Sequence, residues 1–96
     1  MIKGTTSTGF AYEYDETRLD DMRFVDVLAV VVNPDAPPFD KIAGASQLLT
    51  MLLGPDMKKA LYEHIGQNYG GRVPRADLEK ALEEIMQNKK DDAKNS

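Results

Sequence analysis

Apolar residues recur at three- and four-residue spacing through most of the chain, and prolines and glycines cut that pattern into four segments. The first holds two stripes. Met22, Val25, Leu28, Ala29 and Val32 form one, and Phe24, Val27 and Val31 form the other. This predicts a helix that opens near Leu19–Asp21, where aspartates cap free backbone N–H groups. Apolar residues on two sides place it inside the core or at a subunit interface. The β-branched run Val30-Val31-Val32 leaves a strand open there. Asn33 to Pro38 contains Pro34, Pro37 and Pro38 and breaks the pattern. Asp40 is the expected N-cap of a second helix with Ile42, Ala45, Leu48, Leu49 and Leu52 on its buried face. Gly54-Pro55 stops it and starts a third, which carries the ladder Met57, Leu61 and Ile65 and ends at Asn68–Gly71. Arg72-Val73-Pro74 reads as extended. A fourth helix is expected from Arg75 to Asn88, with Leu78, Ala81, Leu82, Ile85 and Met86 as its stripe.

Before these segments, Phe10, Tyr12 and Tyr14 alternate with Ala11 and Glu13, the period of a strand with one apolar face. A lone strand needs a partner, either within the domain or on another chain. The expected fold class is therefore mainly α: a small bundle of about four helices preceded by a short N-terminal β-strand or extended arm. Residues 1–7 read as a flexible arm, 8–88 as a single helical domain and 89–96 as a flexible charged tail.

Composition narrows the chemistry. The chain has 96 residues, enough for one core, and no cysteine, so it has no disulfide, thiol nucleophile or thiolate metal site. Val27 to Val32 is the longest apolar run, far short of the ~20 residues of a membrane span. The net charge is −4, with Glu13, Asp15, Glu16, Asp20, Asp21 and Asp26 crowded near the start. That surface repels phosphate backbones and argues against nucleic acid as a partner.

His64, the single histidine, has neighbours on other helix faces and reads as a structural residue. The adjacent pair Asp20-Asp21 points apart and suits helix capping better than magnesium. Gly70-Gly71 is too short to cradle a phosphate, and Tyr62 and Tyr69 read as core edge. No catalytic, cofactor-binding or metal-binding pattern occurs, so a non-enzyme is expected. The positive signal is surplus apolar surface, to which five methionines add adaptable contacts. On that basis Phe10, Tyr12, Tyr14, Phe24, Val27, Val31, Met51 and Leu53 are the candidate protein-binding residues.

The order of several short pieces resembles the small tail assembly chaperones of long-tailed bacteriophages, especially those infecting Gram-positive bacteria. Thr8-Gly9-Phe10 leads into Asp15-Glu16, and Leu19-Asp20-Asp21 opens a helix. Leu52-Leu53-Gly54 is followed by Leu61 and His64, then by Gly71-Arg72-Val73 and Glu84-Ile85-Met86, and the chain closes on Lys94-Asn95-Ser96. The proline segment and the Val30–Val32 run depart from the more charged stretch such proteins carry there.

The resemblance implies a protein that coats the long helical tape measure protein until tail tube subunits polymerise around it. It implies no catalytic residues, a place in the cytoplasm of the bacterial host, and absence from the mature virion. Implied partners are the tape measure protein, a second copy of the chain, and a longer form of itself made by ribosomal frameshifting. Ala93-Lys94-Asn95 is compatible with a slippery GCA AAA AAC. The competing reading is a structural or adaptor subunit such as a phage head–tail connector component.

Overall fold

Ile2–Thr5 (β1) and Ala11–Tyr14 (β2) pair as an antiparallel hairpin in a computed structural model of the chain, with Ile2 opposite Tyr14 and Gly4 opposite Tyr12. The turn between them is closed by three hydrogen bonds. The Thr6 N–H donates to the Phe10 carbonyl at 2.9 Å, the Gly9 N–H to the Thr6 carbonyl at 2.9 Å, and the Phe10 N–H to Thr6 Oγ1 at 3.1 Å. Gly9 sits at φ 95°, a backbone region costly for residues with a Cβ. Residues 1–88 are described in full and 89–95 as backbone; the tail expected over 89–96, with its frameshift site, lies outside the fully described residues.

The hairpin corrects the expectation of a free arm over 1–7. Ile2 is 2% exposed and packs with Phe10, Tyr12 and Tyr14 in the core. The partner that β2 required is therefore β1, within the same chain. Gly4 makes room for it: a Cβ there would lie 2.5 Å from the Tyr12 hydroxyl. One apolar residue beside a glycine leaves no alternation to detect.

A short 3₁₀ helix, Glu16–Asp20, follows, capped by the Asp15 carboxylate on the Thr17 N–H. Then come four α-helices: α1 Met22–Val32, α2 Pro38–Leu53, α3 Pro55–Gly66 and α4 Arg75–Asn95. Asp21 caps α1 by accepting from the Arg23 N–H. α2 opens at Pro38 rather than after Asp40, because proline at the first helical position forfeits an N–H that has no helical partner anyway. Gly54, at φ 84°, turns the chain between α2 and α3, and its N–H donates to the Thr50 carbonyl at 2.9 Å. The class is thus mainly α with an N-terminal hairpin.

α2 lies at the centre and touches α1, α3, α4 and β2. Leu48, Leu49 and Leu52 of α2 join Leu61 and Ile65 of α3 and Leu78, Leu82 and Ile85 of α4 in one buried cluster. Leu28 of α1 is only partly buried at its margin.

α1 presents the core with the face opposite to its first stripe. Phe24 is 1% exposed, and Val27 and Val31 pack beside it. Met22, Val25 and Val32 are 66%, 40% and 65% exposed. The cause lies on α2. A Cβ at Gly44 would stand 2.7 Å from Val31 Cγ2 and 3.5 Å from Val27 Cγ1. The notch at Gly44 receives the Val27/Val31 edge, and that contact fixes the rotation of α1. No described helix is long and apolar enough to cross a membrane.

Candidate protein-binding face

The eight candidate binding residues do not form one outer face. Phe10, Tyr12, Tyr14 and Phe24 are buried in the core. Val27, Val31, Met51 and Leu53 are half-covered against it. Their apolar character serves folding; Tyr12 also lines a depression beside the hairpin, and Val31 reaches another.

The depression that Val31 reaches is a groove of about 530 Å³ between α1, α2 and α4. Its floor is apolar: Leu28 and Val31 from α1, Ala45 from α2, and Leu82 and Met86 from α4. Polar groups stand along two rims. Lys41 marks the α2 side, and Glu79, Glu83 and Gln87 run along α4. Val32 lines the α1 edge and links the groove to the exposed side chains of Val25 and Met22. Val25 lies seven and Met22 ten residues before Val32, offsets that keep all three on one outward strip of the helix. The acidic row was legible as Glu79 and Glu83 flanking Leu82 and Met86, but nothing in the pattern said that α1 would stand opposite.

The remaining candidate chemistry is structural. His64 Nε2 lies 3.1 Å from the Thr8 carbonyl and 3.2 Å from Thr8 Oγ1, and its ring rests against Phe10 at 5.6 Å. It anchors the hairpin turn to α3. Glu84 does the same from α4, accepting from the Ser7 N–H and hydroxyl. The Ser7 backbone bond, foremost, holds the Glu84 carboxyl below its ordinary range. Asp15 is lowered likewise, first by the backbone bond from Thr17.

The Tyr62 hydroxyl is 3.0 Å from Ser46 Oγ, while Tyr69 donates to Asp77 at 2.9 Å, a bond that raises the Tyr69 phenol. These tyrosines stand apart, each tied to its own partner, and form no stacking platform. Asp21 is spent on its cap, and among the described residues no group of three or more metal-ligating side chains comes together.

The short pieces behind the family resemblance fall on the same framework. Thr8-Gly9-Phe10 is the hairpin turn on His64, Asp21 caps α1, Leu52-Leu53-Gly54 ends α2, and Glu84 grips Ser7. They are chiefly determinants of the fold; Met86 also lines the groove, and the outward strip lies elsewhere. No protein-family model, curated protein or solved structure matches the chain.

Proposed function

We propose that this protein is a tail assembly chaperone of a long-tailed bacteriophage or related prophage, which binds the tape measure protein and keeps it soluble before the tail tube polymerises. The observation that carries the reading is the apolar strip Met22, Val25 and Val32 running into the groove between α1, α2 and α4. Contiguous exposed apolar surface rimmed by polar groups is where protein partners dock. A client built of long helices offers the same kind of surface many times over. Weak contacts by many copies would then cover it through their combined avidity. The net charge of −4 favours a coated complex that repels its neighbours and stays dispersed.

The order of the short sequence pieces supports the reading as well. The test is co-expression with a tape measure protein, the long coiled-coil client that this reading requires. Soluble client only in the presence of this chain supports a chaperone. Stoichiometric recovery of the chain in purified particles would overturn that reading and assign it to a connector or adaptor.

A further inference from the structure

We propose that the groove between α1, α2 and α4 is specific for an amphipathic helix whose apolar stripe is bordered, on one side, by basic residues four positions apart. This rests on the reading of the protein as a binder of helical clients and names the chemistry of the segment bound.

The floor dictates the apolar stripe. Leu28, Val31, Leu82 and Met86 are side chains without hydrogen-bonding groups, so an occupant gains there only by bringing apolar surface. The shape admits a helix. Glu79 to Gln87 spans about 12 Å of α4, roughly two turns. A helix laid along that row matches its four-residue period, since both surfaces repeat at the same rise.

The rim dictates the charge. Glu79 and Glu83 are like charges at i and i+4, an arrangement that mildly destabilises a helix. Among the described residues neither forms an ion pair; the pairs present are Lys3–Glu13 and Arg23–Asp21. Glu83 accepts only a 3.3 Å hydrogen bond from Gln87 Nε2. Lys41 lies on the α2 side of the groove and compensates neither carboxylate within ion-pair distance. The two rims therefore differ in sign. A client helix with lysines or arginines along the α4 edge is attracted, and one with glutamates there is repelled. The same asymmetry selects which edge of the client faces α4.

The probe is a synthetic helical peptide with a leucine stripe flanked on one side by lysines four apart, and a twin with glutamates in their place. Binding of each to the full chain is followed by fluorescence anisotropy at low salt. The lysine peptide is expected to bind at least about tenfold more tightly than its twin. The double variant Glu79→Lys, Glu83→Lys should reverse that order while its circular dichroism stays unchanged. Equal affinities for the two peptides, or an order that survives the reversal, would overturn the proposal. So would sedimentation showing a dimer that excludes the peptide, because a second copy would then fill the groove.

Failure here is separable from failure of the chaperone reading. If the chain still solubilises the coiled-coil client and the double variant does so equally well, the chaperone stands and the groove proposal falls. If the peptides discriminate as expected and the client is not solubilised, the groove proposal stands and the chaperone reading falls.

Discussion

The Glu84 carboxylate accepts two hydrogen bonds from Ser7, one from its backbone N–H at 2.6 Å and one from its hydroxyl at 2.8 Å, across 77 positions of the chain. The bond ties the tip of the hairpin to the last helix. His64 holds the next residue, Thr8, from α3. Two neighbouring turn residues are thus pinned by two different helices, and the small sheet is locked onto the bundle from outside as well as by its buried tyrosines.

Glu84 gives this contact a pH dependence of known sign. Its folded pKa lies below the ordinary 4.5, chiefly because the Ser7 N–H favours the charged form. The stabilisation is therefore complete above pH 4.5 and is lost as pH falls through the lower folded value. Glu84→Gln should cost about 1 kcal/mol at pH 7, the usual net worth of such hydrogen bonds at a partly exposed site. Thermal unfolding from pH 7 down to pH 3 checks it: the gap between parent and variant should close as the medium becomes acidic.

Ile2 should behave as a core residue despite its place at the start of the chain. It is 2% exposed among Phe10, Tyr12 and Tyr14. Ile2→Ala is expected to destabilise by about 2–4 kcal/mol, as buried isoleucine truncations do. Urea denaturation of the variant reads this directly, and an unchanged midpoint would mean that β1 is not docked.

The four helices were legible because their boundaries carry their own chemistry. Pro38, Gly54-Pro55 and Pro74 stop or start helices regardless of what packs around them. The clean stripe of α4 also found its buried side, since Leu78, Ala81, Leu82 and Ile85 have polar residues opposite. α1 was different. Its apolar residues encircle the helix, so periodicity favours no face, and the decision passes to a tertiary detail, the notch at Gly44. The candidate site inherited that ambiguity. Aromatic residues looked available for partners because a single chain position does not reveal what covers it; β2 packs on α2, the Tyr14 hydroxyl reaches the Ile85 carbonyl of α4, and α1 turns Phe24 inward.

The rotation of α1 predicts opposite outcomes at two adjacent positions. Phe24→Ala empties a site that is 1% exposed and should cost about 3–5 kcal/mol. Val25→Ala trims a side chain that is 40% exposed and should change stability by no more than about 0.5 kcal/mol. Chemical denaturation of both separates them. Client binding reads the other way, because Val25 belongs to the outward strip: Val25→Asp should leave the fold intact and weaken solubilisation of the coiled-coil client.

Gly44 supplies the sharpest test of how α1 and α2 meet. In the middle of a helix, glycine to alanine ordinarily gains about 1 kcal/mol, because alanine loses less backbone entropy on folding. Here the new Cβ would stand 2.7 Å from Val31 Cγ2, well inside contact distance. Valine is branched at Cβ and short, so that methyl cannot swing away without an unfavourable χ1 or a shift of α1 itself. Overpacking of this kind costs about 1–3 kcal/mol, which exceeds the propensity gain. Gly44→Ala should therefore be net destabilising. Val31→Ala alone should also destabilise, since it opens a space beside Gly44. Combined, the two changes remove both Val31 γ-methyls and add one methyl on α2 close to where Cγ2 stood, and the double variant should be more stable than the sum of the single losses allows. A double-mutant cycle by urea denaturation measures that coupling. Strict additivity would mean that Val31 does not rest on Gly44, and with it the outward placing of Met22, Val25 and Val32 would fall.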